Sequence, residues 1–178
     1  APIPEARRSF GAAVTASGAS FYVAGGDSNG AALGSVYVYE LASDIWTEVS
    51  EMVVARREHI VATLGAHIYA AGGRGSGFMA ISSVERYDPS ADVWTSVASM
   101  GIERRLCSAG VHGSFLYIVG GIGNDIFNNQ GLVNSAEKYD PISDTWQAIA
   151  AMPNSGMFVA AIASGTDYLY HLGGASIA

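Results

Sequence analysis

The apolar residues of this chain fall in short runs bounded by Gly, Pro, Asn and Asp, a pattern of β-strands rather than helices. Between residues 59 and 100, the segments HIVATL, HIYAAGG, SVERYD and VWTSVASM predict four strands. Gly65-Ala66 separates the first two as a tight turn. Pro89-Ser90-Ala91 separates the last two, with Pro presetting the turn angle. Four antiparallel strands of this kind form one sheet, whose faces must be covered by something else.

The same wording recurs along the chain, as VYVYELASDIW at 36–46, VERYDPSADVW at 84–94 and AEKYDPISDTW at 136–146. Trp46, Trp94 and Trp146 are 48 and 52 residues apart, and each is followed six residues later by Met52, Met100 or Met152. Glycine pairs stand at Gly25-Gly26, Gly72-Gly73, Gly120-Gly121 and Gly173-Gly174. The last three pairs lie 26, 26 and 27 residues after the preceding Trp. Most of the irregularity lies between Gly121 and Tyr139, four residues longer than Gly73 to Tyr87, and an insertion of that kind belongs in a loop.

A repeat of about 50 residues with four strands predicts a β-propeller. The expected fold is all-β: three complete four-stranded blades at about 1–51, 52–99 and 100–151 and half of a fourth at 152–178, in one partial propeller spanning 1–178. Each recurring Trp ring could remove about 150–250 Å² from water, on the order of 4–6 kcal/mol as an upper bound. The glycine pairs read as places where a missing Cβ lets backbone and a large ring approach closely.

With these residues in view, the chain resembles the kelch family, whose signature is a double glycine, a Tyr and a Trp. Here it stands as Gly25-Gly26/Tyr39/Trp46, Gly72-Gly73/Tyr87/Trp94 and Gly120-Gly121/Tyr139/Trp146, so the resemblance covers essentially the whole sequence. The VERYDP and Met-x-x-x-Arg wording resembles the kelch domain of BTB–kelch substrate adaptors. The first copy departs from it, with Glu40-Leu41 in place of Asp-Pro, and the fourth, GTDYLYHLGG, stops before its Tyr and Trp. Propellers close with about 4–8 blades. The remaining blades are therefore expected from a longer parent chain or from another chain, covering faces and a strand edge that would otherwise invite aggregation.

Composition narrows the function. With 178 residues and 49% hydrophobic content the chain can bury a core. No apolar run approaches the roughly 20 residues of a membrane span. A net charge of −7 and a pI near 4.9 argue against a general nucleic-acid binder. A lone Cys107 excludes an internal disulfide framework, which fits a reducing compartment; the expected location is cytoplasmic. The opening APIPEARRSF is neither a signal peptide nor an initiator Met, so a trimmed or processed start is expected.

Against this acidic background, six of the nine Lys and Arg residues occupy one recurring position, as Arg7-Arg8, Arg56-Arg57 and Arg104-Arg105. The first of each pair stands four residues after Ile3, Met52 or Met100; Arg74 follows the second glycine pair and belongs to the same face. The fourth repeat has Gly156-Met157 there, which breaks the ring. Arginine's planar fork favours bidentate capture of carboxylates. The resemblance to substrate adaptors implies that Arg7, Arg56, Arg74 and Arg104 grip an acidic peptide or protein. The same arginines have internal carboxylates to choose from, Glu5, Glu58, Glu103, Glu85 and Glu137. Neighbours on a strand point to opposite sides, so at most one arginine of each pair faces a ligand.

The loops after the glycine pairs, GSGFMAI at 75–81 and IGNDIFNNQG at 122–131, carry Phe78, Met79, Ile126 and Phe127. Apolar side chains in such loops can anchor a partner, and Phe78 and Phe127 join the expected binding set. No catalytic constellation emerges. His59, His67, His112 and His171 fall at four phases of the repeat, and neither HxxxH nor CxxC spacing occurs, so no metal or cofactor is expected. Cys107 reads as a small buried residue. GRGSG at 73–77 lacks the Lys and helix of a phosphate loop, and Asp27-Ser28-Asn29-Gly30 reads as a turn. Two functional classes remain: a non-catalytic interaction module, with substrate recognition for a ubiquitin ligase as its adaptor form, or, by the same resemblance, part of a kelch-type enzyme such as a sugar epimerase or copper oxidase.

Overall fold

The structure is a computed structural model that describes residues 1–124 and 130–154, together with the backbone of the strands Ala161–Ser164 and Leu169–Leu172. The chain opens with β1 (Gly11–Val14) and β2 (Ser20–Ala24), then a short ribbon of β3 (Asp27–Ser28) and β4 (Ala31–Ala32), then β5 (Val36–Glu40) and β6 (Ile45–Val49). Next come β7 (Ile60–Leu64), β8 (His67–Ala71), β9 (Val84–Asp88) and β10 (Val93–Val97). The third repeat runs through β11 (Arg104–Arg105), β12 (Ser108–His112), β13 (Phe115–Val119), β14 (Ile122–Asn124), β15 (Gln130–Leu132), β16 (Ala136–Asp140) and β17 (Thr145–Ile149). A hairpin of β18 (Ala161–Ser164) and β19 (Leu169–Leu172) follows.

Three antiparallel four-stranded sheets result, ordered β1-β2-β5-β6, β7-β8-β9-β10 and β12-β13-β16-β17. The first strands lie side by side, β1 against β7, β7 against β12 and β12 against β18, so they line the common axis and β6, β10 and β17 form the rim. The ribbons β3–β4 and β11–β14–β15 are additions at one end of the sheets, where the sequence showed only loops. Among the described residues there is no helix long and apolar enough to cross a membrane.

The core lies between blades. Tyr22, Val38, Met52, Ile68, Tyr87 and Trp94 form one buried cluster between the first and second sheets; Tyr69, Val84, Met100, Leu116, Ile118 and Tyr139 form the next. Each Trp stands opposite a Tyr across the outer strand pair, Tyr39 with Trp46, Tyr87 with Trp94 and Tyr139 with Trp146, their rings 5.0–5.1 Å apart. Only Trp94 is buried; Trp46 and Trp146 are half-buried, so the three indoles do not contribute equally. The hairpin Asp of each repeat ties neighbours together. Asp92 accepts from the Tyr87 hydroxyl at 2.8 Å and from the Ser50 amide of the preceding repeat at 2.9 Å, while Trp94 Nε1 donates to the Ser50 carbonyl at 2.9 Å. Asp144, Tyr139, Trp146 and Ala98 repeat this arrangement.

At the glycine pairs the nearest neighbour is backbone rather than the large ring expected from sequence, although the His59 ring also approaches Gly25. A Cβ on Gly72 would lie 2.5 Å from the Arg104 carbonyl oxygen, and one on Gly73 would lie 2.5 Å from that of Arg57. Both residues have positive φ, 64° and 88°. The pair is needed because two backbone segments meet there.

Candidate functional site

Arg7, Arg56 and Arg104 are placed by the repeat in one environment, and it is interior. The side chains of all three are 0% exposed. Arg56 Nη1 donates to the carbonyls of Gly72 (2.9 Å) and Ser83 (3.0 Å), and Nη2 to Ser83 Oγ (3.2 Å) and Glu85 Oε1 (2.6 Å). Arg104 makes the same set to Gly120, Ser135 and Glu137, with distances of 2.9–3.1 Å. Arg7 reaches Gly25 and Ser35, and, because Tyr37 stands where the other repeats have Glu85 and Glu137, takes its carboxylate from Glu5 at 2.6 Å. The Arg7 guanidinium also lies 4.8 Å from the Tyr37 ring centre.

The reading of these three as ligand-gripping residues is therefore corrected. Their Nη donors are engaged inside the molecule, and a fork buried against carbonyls has no surface to offer a partner. Glu85 and Glu137 supply their carboxylates, two of the internal candidates legible in the sequence. Glu85 also accepts from the amides of Val53 (2.6 Å) and Val54 (3.0 Å), and Glu137 from Gly101 (2.7 Å), so each pair pins the segment that joins two blades.

The second arginine of each pair lies toward the face, with the Arg8 side chain 77% exposed and those of Arg57 and Arg105 11% and 18% exposed. Arg8 and Asp27 exchange backbone hydrogen bonds of 3.0 and 2.8 Å, Arg57 and Arg74 two of 2.9 Å, and Arg105 pairs with Ile122. These contacts set the residues after each glycine pair beside the second arginines, around the axis-facing end of the first strands. Two carboxylates knit them together. Asp27 bridges Arg8 (3.1 Å) and Arg57; Glu58 bridges Arg74 (2.8 Å) and Arg105 (2.6 Å). Burial opposes ionisation of Glu58, but the bonds from Arg74 and Arg105 outweigh it and hold its carboxyl below the usual range. Four guanidinium groups against two carboxylates leave this cluster net positive on an acidic protein.

Phe78 stands at its edge. Its side chain is 79% exposed, and its ring centre is 5.6 Å from the Arg74 guanidinium. Gln130 ties the loop to the next blade: its Oε1 accepts from Arg105 at 2.8 and 3.1 Å, and its amide donates to the Phe78 carbonyl. Met79 is exposed beside it. Of the expected set, the structure thus brings Arg74 and Phe78 together on the face and withdraws Arg7, Arg56 and Arg104. Phe127 lies outside the described residues.

Arg8, Arg57 and Arg105 were visible in the sequence only as the unchosen halves of pairs. The signal that decides between the halves is Ser-x-Glu at 83–85 and 135–137, which supplies the hydroxyl and carboxylate of a buried arginine site. Less legible still are Ser9, Glu58 and Leu106, which follow the second arginines and share a positive φ of 53–58°. Glu58 N–H donates to the Ser9 carbonyl and Leu106 N–H to that of Glu58, both at 2.9 Å, a chain of bonds running around the axis.

The next residues, Phe10, His59 and Cys107, back onto the second glycine of each pair. His59 is buried, and burial followed by the Arg56 charge lowers its pKa to about 3 against a smaller opposing interaction with the Ala24 backbone. Burial pushes the Cys107 thiol up to about 11, which keeps it protonated and inert as a nucleophile. Among the described residues no group of His, Cys, Asp and Glu could hold a metal ion.

Comparison with known proteins follows the same lines. Over 76 residues, 41% of this chain, it is 45% identical to human Kelch-like protein 23 and 43% identical to the mouse protein. The match spans 13% of the length of each relative. In fold, the chain is similar to the structure of YjhT with a TM-score of 0.76 at 17% identity, covering 86% of this chain and 54% of that one. The model of the KLHDC2/KLHL20/DRC7 Kelch-repeats domain matches residues 1–174, and the chain belongs to this kelch-repeat family.

Proposed function

We propose that the protein is a non-catalytic protein–protein interaction module whose axis-facing arginine cluster binds an acidic peptide or protein, as the substrate-recognition part of a ubiquitin-ligase adaptor in the cytoplasm. The observation that carries this reading is the meeting of Arg8, Arg57, Arg74 and Arg105 around only two carboxylates, with Phe78 exposed at the edge. Arg8 is 77% exposed and can turn toward a ligand; Arg57, Arg74 and Arg105 are held in place by Asp27 and Glu58, so little side-chain entropy is lost when a carboxylate arrives. Phe78 supplies the apolar anchor that charge pairs alone lack.

The test is fluorescence anisotropy of a labelled Glu-rich peptide with the full chain, at several salt concentrations. Affinity is expected to fall steeply with salt, and about tenfold in Arg57→Ala or Arg105→Ala, the value of one or two charge-assisted hydrogen bonds. Binding that ignores both salt and these substitutions overturns the proposal.

A further inference from the structure

A second site lies at the opposite end of the blades. Strand β7 runs from the arginine cluster to Leu64, and β8 starts there at His67. Facing this corner are two turns of the third repeat, at Gly113-Ser114 and Pro141-Ile142. Between them is a cleft of about 370 Å³, within the range of small-ligand pockets.

Its chemistry is mixed in a way that suits one ligand class. Tyr69 and Arg86 are cross-strand partners on the face of the second blade that looks toward the third, where the Tyr69 ring lies 5.6 Å from that of Tyr139. Arg86 and His67 supply N–H donors and Tyr69 a hydroxyl, while Leu64, Pro141 and the 90% exposed Ile142 supply apolar walls. A Cβ on Gly65 or Gly113 would meet nothing within 4 Å, so the turns leave the mouth open. Arg86 hydrogen-bonds Tyr69 and makes no salt bridge among the described residues, and the carboxylate electrostatically coupled to it, Asp144, is engaged by the Tyr139 hydroxyl at 2.7 Å and the Ala98 amide at 2.9 Å.

The repeat itself supplies a control. Between the first and second blades the Tyr22–Tyr87 contact matches Tyr69–Tyr139, yet the positions equivalent to His67 and Arg86 are Ser20 and Val38. Packing of one blade on the next therefore does not require the two basic residues.

We propose that this cleft binds a small carboxylate with a short apolar body. The Arg86 guanidinium takes the carboxylate through its paired N–H groups, His67 and Tyr69 add donors, and Leu64, Pro141 and Ile142 hold the apolar part. The site is independent of the arginine cluster at the other end.

The probe is phenylacetate, titrated into the full chain and followed by amide chemical shifts, with phenylacetamide and acetate as comparators. Saturable shifts are expected at His67, Tyr69, Arg86 and Gly113, with phenylacetate at least about tenfold tighter than either comparator. Arg86→Met lowers its affinity by about tenfold. Ile142→Asp, at an exposed position where folding is undisturbed, does the same by setting a like charge at the mouth, and carries the test should Arg86→Met fold poorly. Shifts that are absent or fall elsewhere, equal affinity for phenylacetamide, or affinity unchanged by Ile142→Asp and by a folded Arg86→Met overturn the proposal.

Discussion

Arg56 and Gly72 are joined through the interior: the guanidinium donates to the Gly72 carbonyl at 2.9 Å, and the Arg56 carbonyl in turn accepts from the Gly26 amide of the preceding repeat at 2.9 Å. One residue thus links two blades, by its side chain forward and by its backbone backward. Arg104 does the same between Gly120 and Gly73. The recurring arginine is a fastening of the propeller, which explains why it recurs with the repeat.

Arg56→Met is therefore expected to destabilise the fold by about 3–5 kcal/mol, because Glu85 is left buried with its charge unpaired and the Gly72 and Ser83 carbonyls lose their donor. Arg56→Lys rescues little, since a single ammonium cannot span carbonyls, hydroxyl and carboxylate together. Arg8→Met removes an exposed guanidinium and leaves the buried Asp27 paired with Arg57, so it costs less, about 1 kcal/mol. Urea denaturation of the three variants checks the ranking; equal losses would refute it.

The glycines separate two sources of cost. Gly65 has a φ of 62° and open space around it, so Gly65→Ala carries only the backbone penalty of about 1–2 kcal/mol. Gly73→Ala adds a collision with the Arg57 carbonyl, for a total of about 2–5 kcal/mol. Melting temperatures of the two variants should differ in that order.

Much of the fold was legible because its determinants are periodic. Trp46, Trp94 and Trp146 stand at a fixed phase, and the glycine pairs mark where backbone meets backbone. The site was less legible, for a reason the arginine pairs make plain. Two adjacent arginines have the same composition and charge, and only the partner waiting on each side decides which is buried. Ser83 and Glu85 draw Arg56 inward, leaving Arg57 for the face. Leu106 gives no local hint of its positive φ, because that conformation is imposed by the Glu58 carbonyl it must reach. The cleft combines residues from two repeats, and its basic pair, His67 and Arg86, is replaced by Ser20 and Val38 in the first blade, so the period did not mark it.

His59 makes stability depend on pH above the range where carboxylates titrate. The folded protein keeps His59 neutral down to about pH 3, whereas in the unfolded chain the imidazole takes a proton near 6.5. Its folded pKa is depressed, so acid favours unfolding: the contribution is complete above pH 6.5 and is lost as pH falls toward 3. Between pH 6 and 5 the loss approaches about 1.4 kcal/mol per unit. Phe10 and Cys107 occupy the equivalent positions without a titrating imidazole, so His59→Phe should fold and flatten this part of the profile. Denaturant titrations at pH 7, 6 and 5 measure it. An unchanged slope in the variant would show that another group is responsible.

Glu58 tests whether the arginine cluster trades stability for binding. Its carboxylate holds Arg74 and Arg105 at 2.8 and 2.6 Å, and with Asp27 it accounts for the negative charge in the cluster. Glu58→Gln keeps the size and one acceptor but removes a charge, so two guanidinium groups lose part of their compensation. The variant is expected to melt at a lower temperature, since the positive φ of Glu58 is held by the surrounding bonds. An acidic peptide arriving at the face then supplies the missing carboxylate. Its affinity should rise by about three- to tenfold at low salt and converge with that of the parent at high salt, where the excess field is screened. A substitution that lowered both stability and affinity would mean that Glu58 positions the arginines more than it competes with the ligand. The rigid arrangement of Arg74 and Arg105, rather than their net charge, would then be the basis of recognition.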